Sequence, residues 1–167
     1  MTKSITPERK LTAVIVTYQS AHTVGRTLDA ARRCFDAGLL DCVIVDNGSS
    51  DGTAALLERA GSWADVVLTG RNNGFGRGCN IGFARVQTPY AVFINPDAVV
   101  EPDAIRTMLQ FIEARPSVGI VGPAILEGDK AFVYRHFNAR RLRRDVAETP
   151  LDPRFELRLE FLAVQYA

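Results

Sequence analysis

Asp97 closes a short polar break in an otherwise apolar run, Val92-Phe93-Ile94-Asn95-Pro96-Asp97-Ala98-Val99-Val100. A carboxylate in that setting can ligate a divalent cation, and the cation can hold a phosphate. Taken alone, the stretch reads first as a strand that ends in a proline turn with a solvated aspartate. Three other places carry comparable chemistry. Tyr18 follows the β-branched run Leu11 to Thr17 and offers an aromatic face on which a base could stack, or a cover for the sheet edge. Asp46 ends the run Val43-Ile44-Val45 and can accept from a base N–H or a ribose hydroxyl; Asp46-Asn47-Gly48 is also a common turn sequence. Gly74, Gly76 and Gly78 remove side chains where backbone must approach a ligand, and the helix they open turns unsatisfied N–H groups toward an anion. The same glycines also suit close packing of a helix on a sheet. Arg71 reads equally as a surface charge, and Asn72, Asn73 and Asn80 as turn formers or caps. His22 and His136 have no sequence partner that would make them catalytic.

The elements that must position these groups alternate. Leu11 to Thr17, Val43 to Val45, Val66 to Leu68 and Tyr90 to Ile94 are short apolar runs suited to buried parallel strands. Helical spacing spans His22 to Ala37, with Gly38 as its stop, and Thr53 to Ala60, with Ser50 or Asp51 as its cap. A third helix follows the glycines, with Cys79, Gly82, Phe83 and Val86 on its inner face. A fourth starts at Pro102, with Ile105, Met108, Leu109 and Ile112 on one face, and ends at Pro116. Val118 to Val121 reads as a fifth strand, and Ala124 to Leu126 with Ala131 to Tyr134 as a hairpin. The alternation predicts an α/β fold, a mostly parallel sheet with helices on both faces, followed by a short C-terminal β extension. All four polar sites then fall at carboxyl ends of strands, on the rim where open α/β sheets bind ligands. Together they make a metal-assisted nucleotide site.

Beyond residue 126 the texture changes. Arg135, Arg140, Arg141, Arg143 and Arg144 form a basic run that reads as a solvated face, with an acceptor-phosphate contact as the alternative. Phe155 to Phe161 alternates strictly and predicts a half-exposed strand. An apolar strand with a free edge invites a partner, so association of two copies through this strand is expected.

The net charge of +1 gives no argument for nucleic acid. Three cysteines, Cys34, Cys42 and Cys79, lack metal spacing and read as reduced buried thiols of a cytoplasmic protein. No apolar run is long enough to span a bilayer; the expected location is the cytoplasm or the inner face of the membrane. A nicotinamide oxidoreductase is disfavoured because the glycine-rich turn follows the third strand, whereas the dinucleotide fingerprint belongs after the first.

Four segments in order, Val14 to Tyr18, Val43 to Thr53, Asn72 to Gly82 and Phe93 to Asp97, resemble family 2 glycosyltransferases. The resemblance runs from about Leu11 to Leu126, and its Asn-Pro-Asp resembles the rhamnosyltransferase-like branch. It implies a GT-A fold: a polar tail over 1–10, a nucleotide-sugar-binding α/β domain over 11–126, and a β and basic extension over 127–167 that is short relative to the family's acceptor half. It further implies that Thr17 and Tyr18 line the base pocket and that Asp46 binds base or ribose. Arg71, Asn72, Gly74 and Asn80 would border the nucleotide and its phosphates. Asp97 would ligate Mg²⁺ or Mn²⁺, and Asn95 would reach the sugar or ribose. The implied reaction is inverting transfer from a UDP- or dTDP-linked sugar to a hydroxyl of a carbohydrate or glycolipid acceptor. The family's base lies in the acceptor half; Asp145, Glu148, Asp152, Glu156 and Glu160 stand in no matching context, so no catalytic residue is assigned. A nucleotide-sugar-binding or assembly module lacking the base is the alternative.

Overall fold

Leu11–Thr17 forms strand β1, and all seven residues are buried. The structure, a computed structural model, describes residues 9–123, 125–127, 130–132 and 163–164. A strand this uniformly apolar must be covered on both faces. Parallel neighbours flank it: β2 (Asp41–Asp46) on one side and β4 (Tyr90–Ile94) on the other. Strand β3 (Asp65–Leu68) adds outside β2, also in parallel. The connections are helical: α1 (Val24–Asp36), α2 (Thr53–Glu58) with a 3₁₀ turn (Arg59–Ser62), α3 (Phe75–Phe83) and α4 (Pro102–Glu113). An antiparallel hairpin, β5 (Ile125–Glu127) and β6 (Lys130–Phe132), follows. Strand β7 (Ala163–Val164) lies parallel to β4, so the sheet order is β3-β2-β1-β4-β7.

The strand period of two divides the core. Ala13, Ile15, Ile44 and Val92 pack with Val24, Leu57 and Ile105 from α1, α2 and α4. Val14, Val16, Val43 and Val45 face the other way, against Cys79 and Ile81 of α3. Helix α1 stops as expected: Gly38 takes φ 72°, and the N–H groups of Gly38 and Leu39 return to the carbonyls of Phe35 and Cys34.

The inner face of α3 keeps Gly82 and Cys79 as expected and adds Gly78. Gly78 and Gly82 are its buried residues, Phe83 is half-buried, and Val86 lies beyond the helix end. A Cβ on Gly78 would stand 2.7 Å from Val16 Cγ1, and one on Gly82 would overlap Val14 Cγ1. These two glycines serve helix–sheet packing, which corrects the ligand-approach reading of Gly78. Gly74 and Gly76 face open space. Gly82→Ala is therefore expected to cost about 1–3 kcal/mol by overpacking, whereas Gly76→Ala is expected to cost nothing and to gain helix propensity. Urea unfolding of the two variants checks the contrast.

Val118 to Val121 is not a strand. The segment leaves α4 in a turn closed by Val118 N–H to Arg115 O, and Gly119 and Gly122 interrupt it between Pro116 and Pro123. Its apolar residue Val121 packs beside α4, and the slot next to β4 belongs to β7. The polar tail over 1–8, the five-arginine run and Phe155 to Phe161 lie outside the described residues. The hairpin is present, at Ile125–Glu127 and Lys130–Phe132. Among the described residues no helix is long and apolar enough to cross a membrane.

Candidate functional site

The carboxyl ends of β1 and β2 meet at a buried corner. Thr17 and Asp46, the last residues of the two strands, are register partners. Asp46 is 2% exposed. Its Oδ1 accepts from Thr17 Oγ1 (2.9 Å) and Ser49 Oγ (2.6 Å), and its Oδ2 from the backbone N–H groups of Gly48 (3.1 Å) and Ser49 (2.9 Å). Four donors match the roughly four lone-pair sites of a carboxylate. The corner was expected to present Asp46 to a ligand; the structure turns that carboxylate inward and uses it to fold the loop. Gly48 follows at φ 76°, where a Cβ would stand 2.6 Å from Arg71 Cα, so the loop after β2 lies directly on the loop after β3. Thr69 ties the same loops, its N–H donating to the Asp46 carbonyl at 3.0 Å.

Asn47 links this corner to α3. It is 2% exposed; its backbone N–H donates to Thr17 O (2.9 Å) and its Nδ2 to Gly74 O (3.0 Å), while Oδ1 has no partner among the described residues. The turn leading into α3 is held by its asparagines. Asn72 Oδ1 accepts from Gly74 N–H (2.8 Å), and Asn73 Oδ1 accepts from Arg71 Nε (3.1 Å). Gly74 adopts φ 81° and, as the N-cap, has no side chain to cap the helix. Among the described residues the first-turn N–H groups of α3 have no side-chain acceptor, and they carry the positive end of its dipole. Phe75 (58% exposed) and Arg77 project from this turn, and Asn80 is exposed one turn further on.

Across the sheet, Ile94 of β4 pairs with Ile15, so β4 ends two residues below the level of Thr17. Ala98 N–H donates to Asn95 O (3.1 Å) and closes the turn through Pro96. Asp97 is exposed and makes no hydrogen bond or ion pair among the described residues. Tyr18 is exposed at the end of β1 (48%). Strand order reverses between β1 and β4, the position at which open α/β sheets leave a crevice for ligands.

The structure thus joins Thr17, Asp46, Arg71, Asn72 and Gly74 through one continuous set of loop contacts. Tyr18, Asn95 and Asp97 share the same sheet edge and Asn80 lies further along α3, with no hydrogen bond from these four to that set among the described residues. Asp97 is a single exposed carboxylate, the kind of ligand a hard divalent cation accepts when phosphates and water supply its other oxygens. Among the described residues no group of three or more His, Cys, Asp or Glu could cage an ion outright. Burial pushes the Cys34 thiol up to about 11 and raises Cys42 and Cys79 as well, so none of the three free cysteines is a thiolate nucleophile.

Ser49 and Gln19, to which the sequence assigns no role, and Asp51, expected only as a helix cap, hold the loops around this corner. Ser49 was recoverable: an Asp followed by Gly and Ser at two and three residues is an Asx-turn pattern. Asp51 accepts from Thr53 Oγ1 (2.6 Å), Thr53 N–H (3.1 Å) and Ala21 N–H (2.9 Å), and the Thr53 side-chain bond above all holds its carboxyl below the usual aspartate range. Gln19 had no local signal, since its partners lie about thirty residues away.

Residues 12–161 match the family model described as Glycosyl transferase family 2. Among curated proteins, the chain is 28% identical over 105 residues to succinoglycan biosynthesis protein ExoO of Rhizobium meliloti, covering 62% of this chain and 30% of that protein. It is 32% identical over 96 residues to glycosyltransferase AglJ of Haloferax volcanii, covering 56% and 29%. The chain therefore spans under a third of the length of these relatives. Among solved structures, S. aureus TarS in complex with UDP superposes with a TM-score of 0.65 at 18% identity, covering 77% of this chain and 39% of that one. The mannosyltransferase PcManGT of Pyrobaculum calidifontis, in complex with GDP-Man and Mn²⁺, superposes with a TM-score of 0.62 at 21% identity, covering 73% and 37%. The fold is GT-A-like.

Proposed function

The chain belongs to glycosyl transferase family 2, and from that premise we propose that residues 11–126 bind a nucleotide-diphosphate sugar with Mg²⁺ or Mn²⁺, for inverting transfer of the sugar to a hydroxyl acceptor. The observation that carries this reading is the convergence of the ends of β1, β2 and β4 with the open start of α3 at the reversal of strand order. Tyr18 supplies an exposed aromatic face for the base. The Asp46 corner shapes the wall beside it. The first-turn N–H groups of α3, with Arg71 at its entrance, suit the charge of a diphosphate. Asp97 would hold the metal, which when bound would offset negative charge on the leaving diphosphate, and Asn95 would reach the sugar or ribose.

In the inverting reaction the acceptor oxygen bonds to the anomeric carbon as the bond to the diphosphate breaks. A carboxylate takes the acceptor proton. We place that base in an acceptor half, as the family resemblance implies, and not on the donor rim. The Asn95-Pro96-Asp97 form of the metal turn supports the rhamnosyltransferase-like branch and a UDP- or dTDP-linked donor. TarS with UDP and UDP-GlcNAc and PcManGT with GDP-Man support a nucleotide-sugar ligand of this general type. The acceptor in this reading is a carbohydrate or glycolipid hydroxyl, met in the cytoplasm or at the inner face of the membrane. The alternating run Phe155 to Phe161 supports contact between copies through the C-terminal strand.

Calorimetry with UDP, dTDP and GDP, with and without Mn²⁺, tests the donor site. Metal-enhanced binding of at least one diphosphate is expected; binding of NAD but of none of the three would overturn the proposal. Sugar transfer, or hydrolysis of a bound donor, then separates an enzyme from a binding module.

A further inference from the structure

We infer that Gln19 is a positioning residue that holds the Tyr18 ring out over the base end of the pocket, through a clasp onto the loop after β2; the inference rests on the nucleotide-sugar reading above. Gln19 has φ 51°, the one positive value at a non-glycine residue among those described. L side chains adopt this conformation rarely, and it persists where surrounding contacts hold it. Here those contacts are on the page. Gln19 N–H donates to Ser49 Oγ (3.0 Å), Gln19 Nε2 to Ser50 Oγ (3.1 Å), and Ser50 N–H to Gln19 Oε1 (2.9 Å). The Ser50 N–H fixes which end of the amide is oxygen.

The peptide group between Tyr18 and Gln19 is thereby clamped at both ends. Its N–H is held by Ser49 Oγ, and its carbonyl accepts from Ser20 Oγ at 3.1 Å. Tyr18 N–H donates back to the same Ser20 hydroxyl at 3.3 Å. Ser20 is itself held, since its N–H donates to Thr53 Oγ1 at 2.9 Å. The backbone of Tyr18 is fixed while its ring stays half-exposed. Ser49 completes the device. The hydroxyl that accepts from Gln19 donates to Asp46 Oδ1, so the strained residue is coupled to the buried carboxylate that shapes the pocket wall. An aromatic platform ordered before the ligand arrives loses less freedom on binding, and the gain appears as affinity.

The test uses Gln19→Gly, which tolerates the positive φ but deletes the side-chain clasp, in a cycle with Tyr18→Ala. The probe is whichever of UDP, dTDP and GDP the unmodified chain binds tightest with Mn²⁺. Gln19→Gly is expected to weaken binding about tenfold, and the double variant to bind within about twofold of Tyr18→Ala alone, because the clasp acts through that ring. Binding by Gln19→Gly within twofold of the unmodified chain overturns the inference. So does a Tyr18→Ala variant without effect, or a double variant in which the two losses multiply. An unmodified chain that binds none of the three diphosphates refutes the nucleotide reading itself, a result distinct from these.

Discussion

Asp97→Ala is expected to weaken Mn²⁺-dependent binding of a nucleoside diphosphate by about 100-fold, equivalent to about 2.7 kcal/mol, while the protein melts at its usual temperature. Asp97 is exposed and has no partner among the described residues. Its removal leaves no buried group unsatisfied, and such surface changes fall within about 0.5 kcal/mol in stability. The binding loss follows from the ligand set. With Asn95 as the neutral neighbour, Asp97 is the one charged protein ligand that this turn offers an ion, and a hard cation is held by charged oxygens first. Chelating the metal in the unmodified chain is expected to give the same loss. Calorimetry on Asp97→Ala with and without Mn²⁺ reads the effect. Undiminished metal dependence in that variant would remove Asp97 from the metal site.

Asp46→Ala is expected to do something different: to destabilise the fold by about 3–5 kcal/mol, lowering the melting temperature by roughly 10 °C. The substitution strips the acceptor from two hydroxyls and two backbone N–H groups that converge on a buried carboxylate. Asp46→Asn is expected to cost less than half as much. Its amide oxygen can keep the two N–H groups, and the hydroxyls of Thr17 and Ser49 can turn to accept from the new NH₂. Thermal unfolding of the two variants checks the order, and an alanine variant that melts within 2 °C of the unmodified chain would contradict it. The comparison also governs how binding data are read. Lost affinity in Asp46→Ala reports a collapsed corner, so a direct role toward the ligand has to be sought in Asp46→Asn.

Much of this architecture was legible in the chain because it is written in local terms. The β-branched runs at Leu11 to Thr17 and Val43 to Val45 admit little but buried strand. Gly38 and Pro102 punctuate helices through their own backbone constraints. Alternating strand and helix leads to parallel strands, and parallel strands collect their carboxyl ends on one rim. Thr17, Asp46 and the loops carrying Arg71 and Asp97 therefore fall on a common edge by sequence alone.

What tertiary structure alone decided concerns partners distant in sequence. Val118 to Val121 has the composition of a strand, but a ladder position depends on which segment reaches the edge of β4, and that segment is Ala163–Val164. Gly78 and Gly82 became packing residues because, four residues apart, they share the helix face that lies on Val16 and Val14; Gly76 is on another face and Gly74 precedes the helix. Asp46 is filled from Thr17, 29 residues earlier in the chain, and Gln19 is held in a left-handed turn by Ser49 and Ser50, about thirty residues later. Side-chain type and spacing determine which groups can do chemistry and which edge they share. Whether a carboxylate faces the ligand or the loop behind it depends on the donors that distant segments bring to it, and only the folded chain sets those.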